Sequence, residues 1–315
     1  MLDDIKGNDN KKVVRKRRYL KTETLLAQTK GLLRRFDLHA RKRLGQHFLI
    51  NEEVLGLIAS AAELTPTDTV MEIGPGLGVL TRELAGQAGW VVAIELDNKL
   101  AASLRETMAL FNNVTIINEN VLSIDPGALL REQKARFFHE MGSPFSYKVV
   151  ANLPYYITSP VLRHFLEAKE KPKTMVVMVQ KEVAEEIVAK PGRMSVLSIS
   201  VQLYGKPAII GRVPANCFYP IPEVDSAILK IALYPQPAVR VDDMESFFSL
   251  VRAGFSASRK QIANSLAQGL GSPKAEVLAL LEKAAIAPQR RAETLTLEEW
   301  AHLYQIFDRA GKSAC

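Results

Sequence analysis

The chain has 315 residues, of which 47% are apolar and 24% are charged, and its formal net charge is +7. This length and composition provide for a sizeable core and for one or two globular domains. They exclude a disulfide framework, since Cys217 and Cys315 are the only cysteines, and no apolar run is long enough for a membrane-spanning helix.

The excess positive charge lies entirely at the front of the chain. Residues 1–43 carry 14 Lys and Arg against 5 Asp and Glu, whereas the remainder has a net charge of −2. Clustered Lys and Arg release counterions from phosphate backbones, so this segment indicates a nucleic-acid partner, although a solvated tail fits the charge equally well. We predict that residues 1–18 are disordered, and the polar N-terminus indicates a cytoplasmic protein rather than a secreted one.

The first predicted elements are two helices. Residues 20–36 have an amphipathic spacing, and a second helix is expected after Asn51, a good N-cap. From Thr69 onward, apolar runs typical of buried strands alternate with helical stretches: TVMEI, WVVAIE, VTIIN, YKVVA and TMVVMV. This alternation predicts a doubly wound, Rossmann-like α/β fold with a parallel sheet. Two later runs, AIIGRV and SAILKIALY, are typical of antiparallel strands that complete such a sheet.

After the proline-containing segment YPQPAVRVDD, the pattern becomes helical only. Four helices are predicted within ESFFSLVRAGF, RKQIANSLAQGL, KAEVLALLEKAA and LTLEEWAHLYQIF. The expected organisation is therefore a basic extension at 1–18, a Rossmann-like domain at 19–240 and a helical RNA- or ribosome-binding domain at 241–315.

The first strand leads into a glycine loop, E-I-G-P-G-L-G-V-L-T. Gly74 and Gly76 let the backbone turn tightly and let a ligand approach without a Cβ in the way. The spacing is G-x-G-x-G, with Val79 where a dinucleotide fingerprint has its third glycine. The loop looks like that of the methyltransferases that use S-adenosyl-L-methionine.

Two polar side chains follow the next strands. Glu95, about 20 residues past the glycine loop, can accept hydrogen bonds from both hydroxyls of a ribose. Asn120 follows the third strand, where its amide can pair with the edge of an adenine. Both fit the adenosine half of the same cofactor.

The fourth strand ends in Asn152-Leu153-Pro154-Tyr155, beside the glycine loop in the predicted sheet. An adenine N6 amine is a poor nucleophile because its lone pair is delocalised into the ring. The Asn152 side-chain oxygen and the Leu153 carbonyl can hold the amine hydrogens and aim the lone pair at a methyl group. Tyr155 can stack on the extruded base, whereas Tyr156 has no assigned task and is expected to pack under the loop.

A second aromatic cluster, N-C-F-Y-P-I-P-E-V-D-S-A, precedes the last strand. We expect Phe218 to close the other face of the base, with Pro220 and Pro222 stiffening the loop. The five histidines show no pairing at i, i+4, and the chemistry needs no metal, so we predict no metal site.

Together these segments resemble the ribosomal RNA small-subunit adenine N6-dimethyltransferase family, the KsgA type, from about Thr22 to Phe307. The motifs that carry the resemblance are RKRLGQHFL, EIGPGLG, NLPY, VQKEVA, FYPIPEVDSA and FSASRKQIANSL. The resemblance implies S-adenosyl-L-methionine-dependent dimethylation of two adjacent adenines in the 3′-terminal hairpin loop of 16S rRNA, late in assembly of the small subunit. It also implies a monomer.

The family pattern assigns roles to particular positions of this chain. It implies that the cofactor contacts His47, Leu49, Gly74, Glu95, Asn120 and Asn152, and that Asn152, Leu153, Tyr155 and Phe218 hold the target base. The chain departs from the pattern at His47, where the family commonly has Asn, and at Asn120, where it commonly has Asp. For the rRNA phosphates we predict contacts from Arg41, Lys42, Arg43, Arg252, Arg259, Lys260, Arg290 and Arg291.

Two alternative functions remain open. A large-subunit (23S) rRNA adenine methyltransferase of the antibiotic-resistance type usually has Asn-Ile-Pro-Tyr and a different C-terminal domain, whereas this chain has Leu153. A non-catalytic RNA-binding assembly factor on the same fold is expected to have lost Asn152 or the glycine loop, and both are present.

Overall fold

The computed structural model describes residues 23–41, 45–137 and 146–313, so the predicted basic extension at 1–18 lies outside the described residues. The strands are β1 (Phe48–Leu49), β2 (Thr69–Ile73), β3 (Trp90–Ile94), β4 (Val114–Ile117), β5 (Tyr147–Asn152), β6 (Thr174–Gln180), β7 (Gly205–Val213), β8 (Phe218–Tyr219) and β9 (Ser226–Leu233). The helices are α1 (Leu25–Arg35), α2 (Glu52–Ala62), α3 (Val79–Ala85), α4 (Asn98–Thr107), α5 (Pro126–Phe137), α6 (Thr158–Leu166), α7 (Lys181–Ile187), α8 (Val196–Gln202), α9 (Met244–Phe255), α10 (Ile262–Leu270), α11 (Lys274–Lys283) and α12 (Leu297–Ser313).

The main sheet of the described chain has seven strands in the order β4-β3-β2-β5-β6-β9-β7. Strands β2 to β6 are parallel to one another, β9 is antiparallel to β6, and β7 is antiparallel to β9. The predicted parallel sheet and its two antiparallel additions are therefore confirmed. The carboxyl ends of β2, β3, β4 and β5 share one edge, which is where open α/β sheets bind ligands.

Helices cover both faces of this sheet. Successive residues of β5 illustrate the arrangement, since Val149 packs with α6 and α8 in one core cluster and Val150 packs with α2 and α3 in another. A strand that is buried on both faces has no polar alternation, which is why these strands are continuous apolar runs in the sequence.

Before the main sheet, α1 and α2 occupy the two predicted helical positions. The Asn51 side chain accepts a hydrogen bond from the Val54 amide at 2.9 Å, as expected for an N-cap. Between the helices, β1 pairs antiparallel with β8, which the sequence did not predict because two-residue strands have no measurable periodicity. This pairing brings the segment before Asn51 over the carboxyl edge of the sheet.

The predicted C-terminal helices form α9 to α12. Helix α10 begins at Ile262, three residues later than the apolar pattern predicts, and helices α5 and α8 were not predicted from the sequence. Phe247 and Phe248 of α9 belong to the same core cluster as Ile199 of α8, so the helices pack directly on the α/β part. No helix of the described residues is both long enough and apolar enough to cross a membrane.

Candidate functional site

A cavity of about 340 Å³ lies at the carboxyl edge of the parallel strands, within the range of small-molecule sites. Its walls come from the loops after β2, β3, β4 and β5, and residues 45–49 cover it. The sites predicted for the cofactor all line it: His47, Leu49, Gly74, Gly76, Glu95, Asn120 and Asn152. Leu153, Pro154 and Tyr155 line the same cavity.

The backbone of the glycine loop favours residues without a side chain at Gly74 and Gly76. Gly74 has φ +65° and Gly76 has φ +57°, both in the left-handed region that favours glycine. The Gly74 amide donates to the Ile94 carbonyl at 3.0 Å, which ties the loop to β3. A Cβ on Gly76 would lie 3.2 Å from the Phe48 ring, so the loop packs closely against the segment that covers the cavity.

Glu95 sits at the end of β3 and is only 6% exposed. Its carboxylate accepts hydrogen bonds from the amides of Gly76 at 3.0 Å and Asp97 at 2.9 Å. Burial raises the pKa of Glu95, and the two backbone hydrogen bonds oppose that shift. Because a carboxylate oxygen has two lone pairs, each oxygen can accept one further hydrogen bond, as a ribose diol requires.

Asn120 follows β4 on the exposed rim of the cavity. Its side-chain oxygen accepts from the Leu122 amide at 3.1 Å and caps the short 3₁₀ helix at Val121–Ser123. The amide nitrogen has no bond within the described residues and remains a donor for a ring nitrogen. The oxygen has a second lone pair for the adenine amine, so the pairing of Asn120 with an adenine edge stays a prediction.

Glu72 lines the cavity and was not singled out by the sequence analysis. It is 1% exposed, and its Oε2 has no hydrogen-bond partner within the described residues. Burial raises its pKa to about 8, and the charge of Glu95 adds to the shift. The sequence feature that could have identified Glu72 is an acidic residue within the apolar run TVMEI. Burying a carboxyl oxygen without a hydrogen-bond partner costs free energy, so such residues occur mainly at functional sites.

This carboxyl makes the cavity fit S-adenosyl-L-methionine. The cofactor carries a sulfonium and an ammonium group, and a buried carboxylate is the natural counter-ion for either. Glu95 and the Asn120 amide offer the hydrogen bonds that its adenosine half needs. The residues present therefore suit both parts of a cationic nucleoside ligand: Glu72 suits the charged part, and Glu95 and Asn120 suit the nucleoside.

Asn152 is the last residue of β5 and links this strand to the segment that covers the cavity. Its amide nitrogen donates to the His47 carbonyl at 3.0 Å, which leaves the side-chain oxygen as an acceptor. His47 in turn forms a hydrogen bond of 2.7 Å between Nδ1 and the Pro220 carbonyl. Asn152 is thus oriented by the segment that covers the cavity.

The residues after Asn152 are held from several sides. The Leu153 amide donates to the Met178 carbonyl at 3.2 Å, which fixes the peptide at the end of the strand. The Tyr155 hydroxyl lies 2.8 Å from Ser226 Oγ, and its ring stacks on the His47 imidazole with centroids 5.9 Å apart. Burial raises the pKa of Tyr155, so its hydroxyl stays neutral.

Two aromatic residues lie elsewhere than expected. Phe218 is 1% exposed, packs in the core cluster with Leu49 and Val150, and does not line the cavity. Phe218 was expected to close the other face of the base, but its pairing with Leu49 in the β1–β8 sheet turns it inward, so its position gives that expectation no support. Tyr156 does not pack under the loop, since it is 54% exposed and lines the cavity.

The basic residues predicted to contact RNA fall into two groups. Arg41 pairs with the buried carboxylate of Asp97 at 3.0 Å, and Arg290 makes an ion pair with Glu299. These two guanidinium groups therefore have partners within the fold, whereas contacts with phosphates were predicted for them. Arg252, Arg259, Lys260 and Arg291 lie on the exposed surface of the helical part, where Arg291 also forms an ion pair of 3.7 Å with Glu293. Lys42 and Arg43 lie outside the described residues.

Within residues 23–41, 45–137 and 146–313, no group of three or more His, Cys, Asp or Glu side chains is arranged to hold a metal ion.

The chain is similar to proteins of one family over most of its length. A family model described as "Ribosomal RNA adenine dimethylase" matches residues 37–309. A protein of Dehalococcoides mccartyi named "Ribosomal RNA small subunit methyltransferase A" is 52% identical over 287 residues, which cover 91% of this chain and 94% of that protein. A protein of the same name from Moorella thermoacetica is 45% identical over 278 residues, covering 88% and 95%.

Two solved structures share the fold. The 23S rRNA methyltransferase ErmE matches with a TM-score of 0.63 and 30% identity, covering 83% of this chain and 99% of that one. A dimethyladenosine transferase from Plasmodium falciparum matches with a TM-score of 0.69 and 24% identity, covering 84% and 98%. The Rossmann-like methyltransferase architecture predicted from the sequence is confirmed.

Proposed function

The chain belongs to the ribosomal RNA adenine dimethylase family, and on that premise we propose that it dimethylates N6 of two adjacent adenines in the 3′-terminal hairpin loop of 16S rRNA. The cofactor is S-adenosyl-L-methionine, and the substrate is the small ribosomal subunit late in its assembly in the cytoplasm. The observation that carries the proposal is the orientation of Asn152, whose amide nitrogen is held by the His47 carbonyl while its oxygen stays available at the cavity.

The proposed cofactor site uses the whole cavity. When bound, S-adenosyl-L-methionine supplies an electrophilic methyl group on a sulfonium sulfur. In this proposal Glu95 accepts from the ribose hydroxyls and Asn120 donates to the adenine. The loop at Gly74 and Gly76 admits the ligand to the backbone, and Glu72 balances the positive charge.

The chemical step depends on the target amine. The Asn152 oxygen and the Leu153 carbonyl each accept a hydrogen bond from one N–H of the amine. These two hydrogen bonds turn the nitrogen lone pair out of conjugation with the ring and towards the methyl group. The Tyr155 ring, held by Ser226 and backed by His47, stacks on the base. As the bond between the nitrogen and the methyl carbon formed, the bond from that carbon to the sulfonium sulfur would break, and S-adenosyl-L-homocysteine would be the leaving group. The nitrogen would then lose a proton to water, and a second molecule of S-adenosyl-L-methionine would supply the second methyl group.

Similarity favours the small subunit over the 23S alternative. The two relatives named for the small subunit are 52% and 45% identical, whereas ErmE is 30% identical. The non-catalytic alternative is disfavoured because the glycine loop and Asn152 are both present and line one cavity.

Labelled S-adenosyl-L-methionine offered to the purified protein tests the proposal. We expect label to appear in small subunits that lack the modification, as dimethyladenosine at two adjacent positions by mass spectrometry. Naked 23S rRNA serves as the competing substrate. Label only in 23S rRNA would establish the antibiotic-resistance type instead, and label in neither substrate would support a binding factor.

We also propose that the helical part, from residue 241 onward, is an RNA-binding domain separate from the methyltransferase part. Its proposed contacts with rRNA phosphates come from Arg252, Arg259, Lys260 and Arg291. Each phosphate contact contributes roughly 0.7–0.9 to the slope of log affinity against log salt concentration. The double variant Arg259→Ala, Lys260→Ala is therefore expected to lower the slope for binding to small subunits by about 1.5.

Arg290→Ala is the matched control, because that guanidinium binds Glu299 and the Thr294 carbonyl. It should lower the melting temperature and leave the salt slope unchanged. An unchanged slope in the double variant would remove these two residues from the RNA interface.

A further inference from the structure

Tyr156 presents an aromatic ring at the mouth of the cavity for which the proposed reaction has no use. It is 54% exposed and lines the cavity, whereas the preceding Tyr155 is half-buried and anchored through its hydroxyl. The two rings belong to one 3₁₀ turn, Tyr155–Ile157, so they leave the backbone in different directions. One ring is fixed inside the site, and the next stands at its rim.

The covering segment leaves room for this ring. Gly45 has φ +57°, and a Cβ built on it would lie 3.5 Å from Tyr156 Cδ1 and 3.7 Å from Pro154 Cβ. The Gly45 backbone therefore lies close to the Tyr156 ring. Because Tyr156 is 54% exposed, a flat partner can approach the ring from solvent.

We propose that Tyr156 stacks on the nucleobase next to the target adenine. This inference rests on the proposed function. Extruding the target base uncovers a face of its neighbour, which costs stacking free energy, and an aromatic ring at the rim restores it.

The buried position of Phe218 strengthens this assignment. The second base-stacking ring expected from the sequence was Phe218, but that side chain is 1% exposed and packed in the core. Among the described residues that line the cavity, Tyr156 is the aromatic side chain with an open surface. A ring that lay over the cofactor instead would affect cofactor affinity, and the experiment separates the two roles.

The test compares Tyr156→Leu, which removes the ring, with Tyr156→Phe, which keeps it. We expect Tyr156→Leu to raise the KM for small subunits roughly tenfold, the size of one lost base–aromatic stack. Its kcat and its Kd for S-adenosyl-L-methionine should stay near those of the unsubstituted protein, and Tyr156→Phe should behave normally. Tyr234→Leu is the matched control, since Tyr234 is 37% exposed and follows β9 at the opposite edge of the sheet.

A cycle with modified RNA identifies the partner. Small subunits are rebuilt with a synthetic 3′ segment in which the base beside the target adenine is abasic. On this substrate the KM of the unsubstituted protein should rise by the same factor of roughly ten, and the KM of Tyr156→Leu should not rise further. Independent, additive losses would overturn the proposal.

Two other outcomes would also overturn it. A weaker Kd for S-adenosyl-L-methionine with an unchanged KM for subunits would make Tyr156 a cover for the cofactor. A normal KM in Tyr156→Leu would leave the ring without a role in RNA binding. If the unsubstituted protein does not methylate small subunits, the proposed function itself fails, and that result is read before any variant is compared.

Discussion

Asn152→Ala is expected to lower kcat on small subunits by roughly 10²–10³-fold, the cost of removing one preorganised hydrogen-bonding group from a transition state. The alanine cannot accept a hydrogen from the target amine, so the lone pair stays conjugated with the ring. Cofactor affinity should fall far less, because Glu95 and Glu72 remain in place. Single-turnover methylation and equilibrium binding of S-adenosyl-L-methionine measure the two effects separately.

A second asparagine provides a control for the loss of the hydrogen bond that the Asn152 amide donates. The Asn113 amide nitrogen donates to the carbonyls of Ala85 at 2.9 Å and Ala88 at 3.0 Å, at the amino edge of the sheet. Asn113→Ala should lower the melting temperature with little change in kcat. If Asn152→Ala turned over at a near-normal rate, the proposed orientation of the lone pair would be refuted.

Glu72→Gln is expected to change the pH dependence of stability and to weaken cofactor binding. The folded protein without cofactor holds the Glu72 proton up to a pKa of about 8, against a reference value of 4.5. The folded state therefore binds more protons than the unfolded state between these values. The free energy of unfolding then falls as the pH rises from about 4.5 to about 8, by up to roughly 5 kcal/mol at about 1.4 kcal/mol per pKa unit.

A glutamine cannot ionise, so Glu72→Gln should remove this decline. We expect melting temperatures similar to those of the unsubstituted protein near pH 5 and higher ones near pH 8.5, measured without cofactor. Glu119→Gln is the control, because Glu119 lines the same cavity but is exposed to solvent. An unchanged decline in Glu72→Gln would show that another group causes it.

The same carboxyl links cofactor binding to protons. A bound cation favours the ionised form of Glu72, so binding below pH 8 should release a proton, and affinity should increase with pH up to about 8. Calorimetry in buffers of different ionisation enthalpy measures the released proton. Glu72→Gln should bind more weakly and without that proton release.

Much of the site could be predicted from the sequence because it is local along the chain. The glycine loop and Glu95 directly follow apolar strands, Asn152 ends β5, and Asn120 lies shortly after β4. Parallel strands bring these carboxyl ends to one edge of the sheet. An apolar run of five to seven residues is itself the physical cause of a strand buried on both faces. The fold class and the gathering of these residues at one cavity therefore follow from short segments.

The tertiary structure decided what depends on distant partners. The pairing of β1 with β8 buries Phe218, and the carbonyl of His47 orients Asn152 from 105 residues away. The ion pairs of Arg41 with Asp97 and of Arg290 with Glu299 occupy guanidinium groups that resemble free cations in the sequence. Which of two adjacent tyrosines is buried, and how far the pKa of Glu72 rises, depend on what packs around each side chain. A residue's own neighbours in the chain fix its backbone environment, but its solvent exposure and charge partners are set by contacts that form only when the chain has folded.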